Sequence, residues 1–255
     1  MIKIKKILIS QPAPDPEKSP YADIIKKYNV KIDFFKFFKI IGLSAKEFRK
    51  QKVNLAESTA IVFTSKNAID HFFRMCSELR IPVSENLKYF CTTEAIALYL
   101  QKYVIYRKRK VFFCNQENNE MLDIIKKHKN EKFLLPCTHG FKTDIPTCLG
   151  KENIDCTKAI LYKTISEDLN KINIMDYDMF VFFSPSGIKS LYENYPKFDK
   201  GEKIIAVFGN TTLDEAHKHG FEPDIIAPSA KCPSMIMAIE AFLEENAKNK
   251  KKNNA

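Results

Sequence analysis

Two apolar runs in the sequence end in clusters of small hydroxyl and amide side chains. The run FVFF is followed by SPSG at 184–187, and the run IVF is followed by TSKN at 64–67. A third cluster, NTT at 210–212, follows the run IIAVFG. Where a buried strand leads into a helix, the first N–H groups of the helix lack partners and the helix dipole adds positive charge. Small side chains there either cap the helix or leave room for an anion to reach the backbone, and both readings stay open.

Other residues suited to catalysis are few. The sequence contains no Gly-x-Gly-x-x-Gly, no Walker loop, no Gly-x-Ser-x-Gly and no His/Cys cluster with metal-ligand spacing. Tyr162 ends the apolar run AILY. A tyrosine at a strand end is usually a partly buried amphipathic side chain, but it can also serve as a proton donor.

The elements that position these residues alternate along the chain. Short runs rich in β-branched and aromatic residues predict ten strands, one of them at 104–113, and helical patterns lie between them. This alternation indicates an α/β fold with doubly wound parallel sheets. Ten strands are about twice the number in one small doubly wound domain, so we expect two domains.

An internal repeat predicts how the domains divide. An offset of 119 residues aligns Ser65 with Ser184. An offset of 118 residues aligns YFCTTEAIALYLQKY with VFGNTTLDEAHKHGF, and an offset of about 126 residues aligns KILIS with KFLLP. The units therefore occur twice, but not head to tail. We expect a discontinuous first domain at 1–38 and 168–246, an inserted second domain at 39–167, and a disordered basic tail at 247–255. Two crossings of the chain, near 36–42 and 163–170, would join the domains, with a ligand cleft between the domains.

Composition excludes several classes of protein. Of the 255 residues 45% are hydrophobic, but no apolar run approaches the roughly 18 residues of a membrane helix. Seven cysteines without a Cys-x-x-Cys argue against a disulfide framework and predict a cytoplasmic protein with reduced thiols. The formal net charge is +10, yet the densest basic run, RKRK at 107–110, has no accompanying nucleic-acid motif. We expect a monomer that binds neither membrane nor nucleic acid.

Five motifs occur along the chain in the order VFTSKNA, LYKT, FFSPSG, FGNTT and APSAKCPSMIMAI. In these motifs and their order the chain resembles the uroporphyrinogen-III synthase family from Ile4 to about Leu243. The resemblance implies two α/β domains, the second inserted in the first and joined to it by a two-stranded linker, with the active site in the cleft. It also implies an activity, the cyclisation of hydroxymethylbilane to uroporphyrinogen III with inversion of ring D and loss of water. The implied reaction uses no metal and no organic cofactor.

The resemblance also implies site residues. The family's tyrosine falls on Tyr162, whose hydroxyl would help the hydroxymethyl group leave as water. The implied substrate-binding residues are those of the three turns: Thr64, Ser65, Asn67, Ser184, Ser186, Gly187, Thr211 and Thr212. The chain departs from the family where Asn210 replaces a usual proline, where Glu94 replaces a threonine, and where LLPCTHG lacks an arginine.

Two other functions compete with this one. A non-catalytic two-domain protein that binds an acidic small molecule would share the cleft, but a receptor of this kind is expected to carry a signal peptide, which the N-terminus does not resemble. A nucleotide-dependent transferase would need a glycine-rich phosphate loop, and the seven glycines form none. A linear tetrapyrrole with eight carboxylates fits best, because it suits helix N-termini and a basic protein.

Overall fold

The chain folds into two compact units. A computed structural model describes residues 3–114, 118–141 and 145–253. One unit comprises the chain up to residue 39 and from residue 165 onward, and the other comprises residues 40–164. The two crossing points each lie within three residues of the predicted domain boundaries.

The first unit is a five-stranded parallel sheet with helices. Its elements are β1 (Lys6–Ile9), α1 (Ala22–Tyr28), β2 (Lys31–Phe34), β9 (Met179–Phe182), α7 (Pro185–Asn194), β10 (Ile204–Phe208), α8 (Asn210–Lys218), β11 (Ile225–Ala227) and α9 (Met235–Asn253). The strand order is β11-β10-β9-β1-β2. Because β1 pairs in parallel with β2 and with β9, the two N-terminal strands share one sheet with strands from the C-terminal part of the chain.

The second unit is built on a six-stranded sheet. Its elements are β3 (Phe38–Gly42), α2 (Ala45–Arg49), β4 (Ala60–Phe63), α3 (Lys66–Leu79), β5 (Lys88–Cys91), α4 (Glu94–Leu100), β6 (Val111–Phe113), α5 (Asn118–Lys126), β7 (Phe133–Thr138), α6 (Ile145–Lys151) and β8 (Cys156–Ser166). The strand order is β3-β8-β7-β4-β5-β6. The neighbouring strands β3 and β8 carry the chain through the two crossing points.

Four short 3₁₀ helices complete the described secondary structure: Pro16–Lys18, Leu55–Glu57, Leu169–Lys171 and Ile174–Asp176.

The two sheets repeat one strand order, and the strands that the sequence offsets align hold equivalent places in it. The order β11-β10-β9-β1-β2 corresponds to β6-β5-β4-β7-β8, and β3 is an addition at one edge. The central strands β9 and β4 are fully buried along their whole length. A parallel strand covered by helices on both faces needs apolar residues at every position, which explains why the sequence there is a continuous apolar run and does not alternate. The expectation of α/β units with parallel sheets is confirmed.

Two local predictions were wrong. A strand predicted at 104–113 is shortened to β6, because the basic run at 107–110 forms an exposed turn closed by the Lys110 amide and the Arg107 carbonyl. The tail predicted as disordered from 247 is helical as far as Asn253, since α9 continues through it. Lys248 lies one turn from Glu244 at 2.9 Å, the kind of i,i+4 pair that extends a helix.

Candidate active site

The turn after β4 places predicted residues at the carboxyl end of the second unit's sheet. Ser65 is the N-cap of α3, and its Oγ accepts a hydrogen bond from the Ala68 amide at 3.1 Å. Thr64 and Asn67, on either side of it, are half-buried. The neighbouring helix α4 is capped in the same way by Thr93. In this unit the hydroxyls of Ser65 and Thr93 therefore do the work of capping.

Tyr162 lies beside the Ser65 turn. The two hydroxyl oxygens are 3.2 Å apart and share a hydrogen bond, although the residues are far apart in the sequence. The Tyr162 side chain is largely buried, and its ring stacks on the imidazole of His71 with 4.9 Å between ring centres. Burial raises the pKa of Tyr162, and the Ser65 hydrogen bond offsets only part of that increase. Tyr162 is therefore a protonated phenol at neutral pH.

The equivalent turn after β9 has the same backbone but different hydrogen bonding. Ser184 adopts φ −157° and ψ 154°, close to the −162° and 159° of Ser65. Its side chain, however, makes no capping hydrogen bond to α7, whose first residue is Pro185. Both Ser184 and Ser186 are partly accessible. In this turn capping does not account for the Ser184 hydroxyl, and the prediction of an anion site stays open.

Gly187 has a packing reason to be glycine. It is buried, and a Cβ built on it would lie 3.1 Å from the Phe182 ring and 3.2 Å from the Oγ of Ser10. Ser10 is itself buried and donates to the Val181 carbonyl. Gly187 therefore lets α7 approach the ends of β1 and β9 closely.

In the turn after β10, the two predicted threonines differ in their exposure to solvent. Gly209 is the N-cap of α8 with φ +82°, a left-handed conformation that favours glycine, and no side chain caps this helix. Thr211 is exposed, whereas Thr212 is only 1% exposed. The Thr211 side chain is therefore accessible, whereas Thr212 is buried in the unit.

The segments where the sequence departs from the family have clear positions. Glu94 is the first residue of α4 and is exposed. Thr138 ends β7 at a bulge, opposite Tyr162 in the neighbouring strand. Its buried Oγ1 has no hydrogen-bond partner in the described part of the chain. The His139 amide donates to the Tyr162 carbonyl at 3.1 Å.

Sequence reasoning missed His71 and Arg74. Asn67, His71, Arg74 and Glu78 recur at spacings of four, three and four along α3, which puts them on one face of the helix. That polar stripe is visible in the sequence. What it touches is not, because its partners Leu43 and Tyr162 lie elsewhere in the chain.

No metal centre is formed by the described residues. Within 3–114, 118–141 and 145–253, no three His, Cys, Asp or Glu side chains lie close enough together to hold an ion. In the same ranges no helix is long and apolar enough to cross a membrane.

Comparison with known proteins identifies relatives over most of the chain. A family model described as uroporphyrinogen-III synthase HemD matches residues 21–237. The uroporphyrinogen-III synthase of Schizosaccharomyces pombe is 32% identical over 129 residues, which are 48% of this chain and 47% of that protein. The match thus spans about half the length of the curated relative.

Two solved structures share the fold. The uroporphyrinogen-III synthetase of Helicobacter pylori has a TM-score of 0.60 at 17% identity, covering 94% of this chain and 99% of that one. A mutant uroporphyrinogen III synthase of Thermus thermophilus has a TM-score of 0.58 at 11% identity, with the same coverage.

Fold and site together define an α/β protein with two parallel-sheet units, in which small hydroxyl side chains follow the carboxyl ends of the central strands. Because the family model covers most of the sequence, the family follows directly. The chain belongs to the uroporphyrinogen-III synthase family.

Proposed function

We propose that this protein cyclises hydroxymethylbilane to uroporphyrinogen III, inverting ring D and releasing water. Family membership supports this activity, and the arrangement around Tyr162 is the observation that carries it. A buried, protonated phenol lies beside a hydroxyl partner at the carboxyl end of a parallel sheet, which is where ligands bind in open α/β folds.

Tyr162 is the proposed catalytic residue. As the bond from the hydroxymethyl carbon to its oxygen breaks, negative charge builds on that oxygen, and a donated hydrogen bond stabilises it. The oxygen leaves as water after taking up a proton. Ser65 already accepts from the Ala68 amide, so it can donate its own proton to Tyr162 and leave the phenol proton for the substrate. This direction of the Ser65–Tyr162 hydrogen bond is part of the proposal.

The turns of the first unit are proposed to bind substrate carboxylates. No side chain caps α7 or α8, and Ser184, Ser186 and Thr211 are at least partly accessible beside their N-termini. Helix N-termini favour anions through their free N–H groups and dipole. Thr64 and Asn67 would contribute from the other unit. Thr212 and Gly187, being buried, would act by shaping their turns.

We further propose a cytoplasmic monomer that needs no cofactor and does not bind nucleic acid. The seven cysteines, all within the described residues, are free thiols, a state typical of reducing compartments. The basic run at 107–110 is a short exposed turn, too small by itself to follow a nucleic-acid backbone.

The decisive experiment supplies the purified protein with hydroxymethylbilane and separates the product isomers after oxidation to porphyrins. The expected product is the type III isomer. Because the substrate also cyclises unaided, a boiled sample is the control. Formation of the type I isomer alone, at the rate of the boiled sample, would refute the proposed activity.

A further inference from the structure

Arg74 links α3 to the strand that carries Tyr162. Its Nε donates to Nδ1 of His71 at 3.2 Å, and its Nη2 donates to the carbonyls of Leu43 at 2.9 Å and Leu161 at 3.2 Å. Its Nη1 pairs with Glu78 one turn along the helix. The planar guanidinium offers donors in a fixed fork, so these bonds determine its position closely.

Gly42, at the end of β3, is a second observation that bears on the position of the Arg74 guanidinium. A Cβ at Gly42 would lie 2.5 Å from Nη2 of Arg74 and 2.6 Å from Cζ, closer than real contacts allow. Gly42 is not among the described glycines with positive φ, so its backbone does not demand glycine. The absence of a Cβ leaves room for the guanidinium, which is the end of a flexible side chain and would have to move if a Cβ were present.

The bonds of Arg74 reach Tyr162 by two routes. Leu161 directly precedes Tyr162, and its carbonyl accepts from both Arg74 and the Leu43 amide, which holds the backbone. His71 stacks on the Tyr162 ring, which holds the side chain. The Nε–H of Arg74 makes Nδ1 of His71 an acceptor, which assigns the imidazole proton to Nε2. Burial, with the charge of Arg74 next, lowers the pKa of His71 and keeps the ring neutral.

We propose that Arg74 is a positioning residue, which orients the Tyr162 phenol through His71 and through the Leu161 carbonyl. Gly42 supplies the space that this requires. The inference rests on the proposed function, because Arg74 is proposed to position Tyr162, the proton donor of that reaction. Arg74 itself does not touch the reacting atoms in this role.

The kinetic test uses two conservative changes that should act alike. Arg74→Lys keeps the charge but loses the fork, and Gly42→Ala displaces the guanidinium. Each should lower kcat about tenfold, since a small misplacement of a catalytic group is costly, while KM stays within about twofold. Arg49→Lys, an exposed arginine in α2, is the matched control and should leave kcat unchanged. Circular dichroism and melting temperature establish that each variant is folded.

A double variant separates positioning from general damage. In a Tyr162→Phe background the donor is already absent, so Arg74→Lys should reduce kcat less than about twofold further. If the two losses multiply, Arg74 acts independently of Tyr162 and the proposal is overturned. An Arg74→Lys variant with unchanged kcat overturns it equally.

A spectroscopic readout keeps the inference distinct from the activity. With tyrosine labelled at the ring carbon that bears oxygen, the Tyr162 resonance is the one that Tyr162→Phe removes. Arg74→Lys and Gly42→Ala should both shift or broaden this resonance, and Arg49→Lys should not. An unshifted resonance overturns the positioning role even in an active enzyme. A shifted resonance in a protein that makes no type III isomer supports the positioning and rejects the proposed function.

Discussion

Burial and the hydrogen bond with Ser65 shift the pKa of Tyr162 in opposite directions. Burial raises the pKa of the phenol, and the hydrogen bond with Ser65 lowers it by less. An ordinary tyrosine titrates near pH 10. Across the neutral range Tyr162 is therefore a donor and never a base, which is the property that departure of water requires. The tyrosine and its two neighbours, Ser65 and His71, form the smallest unit in which the proposed chemistry can be tested.

Tyr162→Phe removes the donor while keeping the ring that stacks on His71. We expect kcat to fall about a hundredfold or more, as the loss of general acid assistance implies, with the product drifting toward the type I isomer. Stability should change by no more than about 1 kcal/mol, since a single hydrogen bond is lost. Rate and isomer ratio are measured together with urea unfolding. If the variant retains more than about a third of the wild-type activity, Tyr162 is a packing residue.

At the scale of elements, one strand–turn–helix design occurs with two patterns of hydrogen bonding. After β4 the serine hydroxyl caps its helix, and after β9 the serine in the same conformation does not. The difference follows from the first turn of each helix. Helix α7 begins with Pro185, and the Gly187 amide donates its hydrogen bond to the Ser184 carbonyl. The Ser184 hydroxyl therefore makes no capping hydrogen bond. A shared sequence pattern thus hides a difference in helix capping.

Ser65→Ala and Ser184→Ala form a matched pair that exposes this difference. Ser65→Ala should lower the free energy of unfolding by about 1 kcal/mol, because it deletes an N-cap. Ser184→Ala should change stability by less than about 0.5 kcal/mol, since no cap is lost, and should instead raise KM for hydroxymethylbilane. Urea unfolding and steady-state kinetics measure the two effects. A stability loss at Ser184 equal to that at Ser65, with KM unchanged, would show that both serines are only caps.

One carboxylate, that of Asp70, links α3 to the end of α4. Asp70 accepts hydrogen bonds from the hydroxyls of Tyr99 and Tyr103, with Lys102 at 3.5 Å. Burial alone would raise the pKa of Asp70, but the bonds from Tyr103 and Tyr99 outweigh it, so the pKa lies below its ordinary value. The folded state therefore favours the ionised carboxylate. Its stabilising contribution is fully present above the unfolded-state pKa, near 3.9, and disappears as pH falls through the lower folded-state pKa.

Asp70→Asn should lower the free energy of unfolding by about 1 kcal/mol at pH 7, a value reduced for partial exposure of the site. The difference from the wild type should shrink as pH falls below about 4, because the wild-type carboxyl then becomes neutral too. Urea unfolding between pH 7 and pH 3.5 measures it. Asp123→Asn, an exposed change in α5, is the control and should have little effect at any pH. A difference that stays constant with pH would contradict the role of the charge.

At the scale of the whole molecule, the inserted unit has the features of a domain. It carries its own sheet and two clusters of buried residues, one around Phe63 and Phe72 and one around Phe90 and Phe133. The other unit packs around separate clusters on β1, β9 and β10. Each sheet is completed by strands of its own unit, except where β3 and β8 pass through the crossing points.

The fragment 38–166, which retains β3 and β8 whole, should therefore fold without the rest of the chain. We expect a cooperative thermal transition and dispersed amide resonances, as its size is typical of an independent domain. The control is a fragment of 60–166, which lacks β3 and α2 and loses the contacts of Phe48 with the core. It should melt at a lower temperature. A fragment 38–166 that is unfolded, or that binds hydrophobic dyes strongly, would contradict the assignment.

The sequence by itself determined most of the elements and the presence of a repeat, although β3 is a strand of the described residues that it did not predict. Apolar runs followed by small polar residues predict strand ends within a residue or two, because a buried parallel strand consists of apolar residues along its length. The offset that aligns Ser65 with Ser184 predicts that the same units occur twice, and β4 and β9 hold equivalent places in the two sheets. These features depend on residues close together in the chain, so a single sequence carries them.

Only the tertiary structure decided which side chains meet. Tyr162 contacts Ser65 across 97 positions, and Arg74 contacts the Leu161 carbonyl across 87. The burial of Thr212 and the unused hydroxyl of Ser184 are likewise invisible in the local pattern. Such contacts depend on the pairing of β8 with β7 and on the side of the sheet that α3 covers. A sequence pattern gives the face of a helix, but the packing of distant strands determines what that face touches.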